Sequence, residues 1–284
     1  MDRKLESFLA VCDTMNYRKA SELLHLTQPA VTKQVQALEY QYGAKLFHYD
    51  GRRLEKTEKG AILERYARSL LYNYQELNRQ MHKEPKRQLY IGATKTIGDY
   101  VLQEQILKYL QQEQNEITLH IDNTENLLAM LNSHQLDFAL VEGVFPKEEY
   151  HYQVYKEEPF VGICHKSHPF CGRTISAKEL AGQDIIIRET GSGTRDLLER
   201  ELSAQGFTLD LFRRVICISS FQVIKNLIQN GVGITFGYEA VLEGDESYGT
   251  FQVKEFKKSH FFHIVYLENT PANLYAEMFL SQEE

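Results

Sequence analysis

Three short stretches of helical periodicity occupy the first 42 residues, and burial alone does not account for the third. The first runs from about Arg3 to Met15, with Leu5, Phe8, Leu9 and Cys12 on one face. The second, about Arg18 to His25, is expected to bury Ala20, Leu23 and Leu24. In the third, "HLTQPAVTKQVQALE", Val31, Val35 and Leu38 recur at i, i+4 and i+7, and Tyr42 extends the series, so one side is written for burial. Thr27 stands where a cap belongs, and Pro29 is tolerated because first-turn amides have no helical partner. The other side carries Gln28, Pro29, Ala30, Thr32, Lys33 and Gln36. Hydroxyl, amide and methyl groups with a single cation suit base-pair edges better than plain solvation. The link from Leu24 to Pro29 has room only for a tight turn, which predicts the helix-turn-helix arrangement, whose second member enters the major groove of double-stranded DNA. A small hairpin turning at Gly51 follows, with Arg52 and Arg53 at its tip, placed for a minor groove or flanking phosphates. A plain surface helix beside two solvated arginines is the competing reading.

From about Glu58 to Lys83 the pattern predicts one long helix stopped by Pro85. Leu63, Ala67, Leu70, Tyr74, Leu77 and Met81 are spaced 4, 3, 4, 3, 4, a heptad seam able to grip a second copy of the helix. Packing against the chain's own body is the alternative. Beyond Arg87 strands alternate with helices: "QLYIGA", "TIGDYVLQEQILKYLQQEQ", "EITLHI", "NTENLLAMLNSHQ" and "LDFALVEG". That alternation implies an α/β fold built on parallel strands with right-handed crossovers. A second such unit begins near Gly162, and "FFHIVYLEN" with a closing helix is expected to return to the first. The chain therefore divides into 1–57, 58–87 and 88–284, the last in two lobes, about 88–161 with 266–284, and 162–265.

Ligands of open α/β sheets bind beyond the carboxyl ends of strands, where helices begin. Three such loops are legible. "GATKTIGD" offers Thr94, Lys95 and Thr96, with Thr96 and Asp99 spaced as a capping box. "ETGSGTRD" offers Gly191, Ser192, Gly193 and Thr194, and "ISSFQVI" offers Ser219 and Ser220. Each hydroxyl has the ordinary role of a helix cap, and "GSGTR" lacks the lysine and spacing of a P-loop. Helix amino termini favour an anionic guest. Glu142, at the end of "LVEG", runs against that and would pair with Lys95 or Arg195, or receive an amine of the ligand. "CHKSHPFC" gathers Cys164, His165, His168 and Cys171, but not at zinc-knuckle spacing, so no metal is expected. No nucleophile–base pattern argues for an enzyme, and no cofactor is implied.

Composition changes the picture at one point. The overall charge of −7 argues against nucleic acid, yet residues 1–87 hold 16 Lys and Arg against 11 Asp and Glu, while residues 88–284 hold 16 against 28. A basic head on an acidic body suggests a DNA-binding module with a second job attached. Four scattered cysteines, no run approaching a membrane span and no signal-peptide pattern point to a cytoplasmic protein without membrane contact.

The segment "NYRKASELLHLTQPAVTKQVQALEYQYGAKLF" closely resembles the amino-terminal signature of LysR-type transcriptional regulators. The resemblance implies a winged helix-turn-helix, a long linker helix and a two-lobed effector domain resembling periplasmic binding proteins. It places Gln28, Pro29, Thr32 and Lys33 at or near DNA and Arg52 and Arg53 in the wing. It also implies a small-molecule effector between the lobes at matching positions, homodimers paired through the linker helix, and commonly homotetramers. Tyr49 stands where the family usually has arginine, and Lys56 where it usually has leucine. A two-lobed binding protein or enzyme with an incidental helical amino terminus is the reading from another class.

Overall fold

The computed structural model describes residues 2–82, 87–242, 244–245, 247–268 and 270–280. The chain divides into two compact units, one built on residues 1–85 and the other on most of the remainder.

In the first unit the Asp2 carboxylate accepts from the Lys4 amide and opens α1 (Arg3–Thr14), which ends where Met15 turns left-handed. Asn16 caps α2 (Tyr17–Leu23) by accepting from the Arg18 and Lys19 amides. His25, at φ 53°, turns the chain into α3 (Gln28–Tyr42). Phe8, Val11, Ala20, Val31, Val35 and Leu38 form the interior. β1 (Phe47–Tyr49) and β2 (Leu54–Lys56) pair antiparallel around Gly51, whose φ of 72° glycine adopts at no steric cost. α4 (Glu58–His82) follows.

Three expectations for this unit are corrected. Leu23 and Tyr42, expected in the core, are 61% and 52% exposed. Each is the last residue of its helix, so the apolar periodicity outruns the elements that could cover it. Thr27 occupies the cap position of α3, but its side chain makes no capping bond. The heptad seam splits: Ala67 is fully buried and Leu63 packs on the head core, whereas Leu70, Tyr74, Leu77 and Met81 stay exposed. Ion pairs explain that split. Arg68 pairs with Asp13 of α1 and with Glu64, and Lys56 pairs with Glu64, which pins the first turns of α4 to the head. Lys83 and Pro85, the expected end and stop of this helix, lie outside the described residues.

The second unit runs β3 (Arg87–Thr94), α5 (Lys95–Tyr100), α6 (Gln103–Leu110), β4 (Asn115–Asp122), α7 (Thr124–Asn132), β5 (Phe138–Val141) and β6 (His151–His165). It continues through β7 (Thr174–Ile175), β8 (Asp184–Ile187), α8 (Gly193–Ala204), β9 (Arg214–Cys217) and α9 (Phe221–Gln229). β10 (Thr235–Tyr238), β11 (Tyr248–Val253), β12 (Ser259–Tyr266) and α10 (Ala272–Leu280) complete it. β3 pairs parallel with β4 and β5, and β8 with β9. β12 runs antiparallel to both β5 and β6, while the far half of β6 pairs with β10 and β11. β6 thus belongs to both lobes, and the expected lobe edge at 265/266 falls inside β12. Phe279 of the closing helix packs on Tyr109 and Phe138 of the first lobe.

The helix expected from "TIGDYVLQEQILKYLQQEQ" is two. The Leu102 amide reaches back five residues to the Ile97 carbonyl and its side chain is fully buried, so the chain turns there to seat Leu102 and restarts as α6. β6 was not legible as a strand because "KEEP" at its centre reads as a loop. Pro159 fits there opposite Ser259, where β6 crosses between the lobes. No helix of the described residues is long and apolar enough to cross a membrane.

Truncating the fully buried Leu38 to alanine should cost the head about 2–5 kcal/mol. The expected signature is an earlier urea transition for the head, with the transition of the two-lobed unit unmoved.

Candidate functional site

Burial of Val31, Val35 and Leu38 fixes the rotation of α3 and leaves its opposite side open. Gln28, Pro29, Lys33 and Gln36 are exposed there, with Ala30 and Thr32 partly so. The Thr32 hydroxyl donates to the Gln28 carbonyl at 3.0 Å, so it is held on that face. Arg52 and Arg53 are exposed at the hairpin tip. Lys56 is turned inward onto Glu64, and Lys45 is paired with Glu39 at 2.7 Å.

The second set of residues gathers where the two lobes meet. Thr94 ends β3 and caps α5 with no side-chain bond, so the expected Thr96–Asp99 capping box does not form and Thr96 lies inside the helix. Lys95 reaches across to the other lobe. Its Nζ lies 3.0 Å from Glu189 Oε1 and donates to the Ser219 carbonyl at 3.1 Å. Arg188 holds the same carboxylate, Nε donating to Oε2 at 2.8 Å and Nη2 to Oε1 at 2.9 Å. Its guanidinium lies over the Phe221 ring, 4.7 Å from the centroid. Lys95, Asp99, Tyr100, Ser219, Phe221 and Gln222 line an open groove of about 560 Å³ here.

Glu142 follows β5 at the backbone contact between the lobes. A Cβ on Gly193 would stand 2.5 Å from the Glu142 carbonyl, and one on Gly143 2.9 Å from Gly193 Cα, so only glycines allow this approach. Thr194 Oγ1 donates to Glu142 Oε1 at 2.8 Å. Neither expected ion pair of Glu142 forms, because Lys95 is taken by Glu189 and Arg195 by Glu199 at 2.7 Å. Gly191, at φ 83°, turns the chain into Ser192, which caps α8 without a side-chain bond. Ser219 and Ser220 are exposed, and Ser219 contributes its carbonyl rather than its hydroxyl.

Three polar atoms of this junction, Thr94 Oγ1, Arg188 Nη1 and Ser192 Oγ, are buried without a hydrogen-bond partner, and the buried Thr96 Oγ1 and Glu142 Oε2 have no close partner beyond their influence on each other. Burial raises the pKa of Glu142, against the Thr96 and Thr194 hydroxyls and the Arg188 charge. Burial would also raise Glu189, but hydrogen bonds from Arg188 and Lys95 outweigh it and draw the carboxyl down to about 2. Arg188 and Glu189 were missed in the sequence. Their signal was two opposite charges directly after the isoleucine run of "DIIIRE", just before the glycine loop.

The Cys164–Cys171 segment resolves into local contacts: Cys164 is buried, its Sγ 3.5 Å from the Gly249 carbonyl, and the His165 Nδ1 and Ser167 hydroxyl lie 2.7 Å apart. Among the described residues no three His, Cys, Asp or Glu side chains gather as a metal site.

A raised pKa means that Glu142 binds its proton more tightly folded than unfolded. Its contribution to stability is full below the ordinary value of 4.5 and is lost as pH rises through the raised value. Glu142→Gln removes that loss. Urea unfolding at acidic and neutral pH should therefore show the variant gaining on the natural chain as pH rises.

Residues 3–61 match the bacterial regulatory helix-turn-helix protein, lysR family, and residues 82–282 the LysR substrate binding domain. The chain is 30% identical over 278 residues to the HTH-type transcriptional regulator CysL of Bacillus subtilis, covering 94% of this chain and 92% of that one. It is 32% identical over 240 residues to the RuBisCO operon transcriptional regulator of Allochromatium vinosum, covering 82% and 78%. A full-length OxyR from Pseudomonas aeruginosa shares the fold with a TM-score of 0.75 at 17% identity, covering 98% of this chain and 93% of that one. The regulatory domain of Synechocystis CcmR, in complex with 2-PG, gives 0.61 at 20% identity, covering 68% and 96%. With a matching head and a matching two-lobed domain in one continuous alignment, the chain belongs to the LysR family of transcriptional regulators.

Proposed function

We propose that this regulator reads DNA with Gln28, Pro29, Ala30, Thr32, Lys33 and Gln36 of α3 and with Arg52 and Arg53 of the wing, and that a small anionic ligand at the lobe junction sets its DNA-binding geometry. The frame is a head over 1–57, a linker over 58–87 and an effector domain over 88–284. The observation that carries the ligand reading is the Lys95 bridge to Glu189 and Ser219, surrounded by buried polar atoms without partners. Such atoms cost roughly 1–3 kcal/mol each when left unpaired, which a ligand can recover. Thr94, Lys95, Thr96, Glu142, Gly191, Ser192, Gly193, Thr194, Ser219 and Ser220 come from loops that meet there, and the 2-PG of the CcmR domain supports an anion. The mechanism is a population shift: a ligand that binds one lobe arrangement better favours it, and the linker helices pass the change to the heads. The role assigned is binding rather than bond-making, in the cytoplasm where bacterial DNA lies.

A second copy is part of the proposal, since a helix-turn-helix reads two half-sites as a pair. Tyr66, Leu70, Leu77 and Met81 expose an apolar stripe along α4, 61%, 58%, 55% and 73% open. Elsewhere Leu107 and Leu110, three residues apart on α6, are 67% and 46% exposed. Two independent apolar surfaces suit a homotetramer.

Selection from random DNA should enrich two inverted half-sites; sequence-blind, salt-sensitive binding would remove the reading-head assignment. Lys33→Ala should weaken binding to the selected site and lower the salt slope by about one. Leu70→Glu combined with Leu77→Glu should halve the assembly in sedimentation, with the head's urea transition unchanged.

A further inference from the structure

We infer that the Glu189 carboxylate stands in for the effector: the ligand carries a small oxyanion, carboxylate or sulfate-like, that replaces Glu189 on Arg188 and Lys95. This rests on the interlobe reading above and specifies its chemistry.

Glu189 is held as a bound acid would be. One oxygen receives Arg188 Nε, and the other receives both Arg188 Nη2 and Lys95 Nζ. A guanidinium fork on one side with an ammonium on the other is a strong geometry for a carboxylate. The two layers differ in depth: the Arg188 side chain is 4% exposed and that of Glu189 24%. The cation is therefore fixed in the interior, and its anion sits on the solvent side, where an incoming anion can exchange with it. Ser219 accepts a further hydrogen from Lys95 and keeps the ammonium aimed at the same point.

The surrounding unpartnered atoms specify the rest. Arg188 Nη1 can only donate, and the hydroxyls of Thr94, Thr96 and Ser192 can each donate. Burial raises the pKa of Glu142, which favours its protonated, donating form over the free carboxylate. Arg188 Nη1 is the obligate donor of the set, and the hydroxyls can turn to donate beside it. An oxyanion, with lone pairs in several directions, satisfies that set. An amine leaves Arg188 Nη1 without an acceptor and adds a third cation beside Arg188 and Lys95. With Glu189 displaced, Lys95 and Arg188 present two positive charges to the ligand. The exchange also moves the inter-lobe bridge from a tethered side chain to a diffusible group, so the oxyanion becomes the link between the lobes.

The experiment titrates sodium sulfate and sodium acetate, separately and at constant ionic strength, into the full-length protein and its Glu189→Gln variant by calorimetry. Removing the internal competitor should tighten one or both anions by at least roughly tenfold, and Lys95→Met added to Glu189→Gln should abolish the gain. Tightening of sulfate alone marks a sulfate-like ligand, and of acetate alone a carboxylate. Unchanged or weaker affinity for both overturns the inference and leaves Glu189 as a strut for Arg188. Glu189→Ala, which also clears the space, should give the same gain, and thermal unfolding checks that both variants fold. The DNA footprint of Glu189→Gln without added anion separates the two levels. An altered footprint with no gain in anion affinity sinks only the surrogate role. A gain in affinity with a footprint indifferent to anion sinks the regulatory reading and leaves the surrogate standing.

Discussion

Two strands carry the chain between the lobes, and most of what is chemically distinctive here follows from that constraint. β6 pairs with β12 through its first half and with β10 and β11 through its second, and β12 lies between β5 and that first half. The loops that end β3, β5 and β8 are thereby brought to one junction, and backbone meets backbone at Gly143 and Gly193. Groups that would be solvated caps on a single lobe become buried there. Desolvation and the charged partners within reach then set their pKa values in opposite directions. Glu142, with only hydroxyl groups against it, is pushed up, while Glu189, with a guanidinium and an ammonium, is pulled down.

The same physics separates rigid from exchangeable contacts. Arg188 is held by ring stacking, burial and a bidentate pair, so it is poorly suited to leave. Lys95 and Glu189 are partly solvated and joined across the lobes, which makes their pairing the adjustable member of the junction. A bridge of that kind is weak enough to be replaced and specific enough to define a state, as an effector-linked equilibrium requires. In the head, electrostatics has the opposite use. The Asp13–Arg68–Glu64–Lys56 network ties α4 to α1 and the wing, so a turn of the linker is carried by the unit that holds α3.

Much of this was legible in the chain. The spacing of Val31, Val35 and Leu38 set the buried side of α3, and the polar side followed from it. The strand–helix alternation beyond Arg87 read correctly as two α/β units, and the three loops at strand ends were the ones that meet. Those features depend on distances of a few residues, where covalent geometry fixes which side chains share a face.

What only the tertiary structure decided were choices among partners far apart in sequence. Glu142 was an equal match for Lys95 on paper, but Lys95 chose Glu189, 94 residues away, because the lobe contact places that carboxylate within reach. Leu63 and Ala67 shared a heptad with Leu70 and Leu77, yet the head covers the first pair and not the second. Leu102 broke a continuous helical pattern to reach the core, and Pro159 was admitted to a strand because it lies where β6 crosses between the lobes. Periodicity by itself determined which residues want burial or a counter-charge. Only the closed chain decided which of several suitable partners each one met, because that depends on loop closure and packing rather than on spacing.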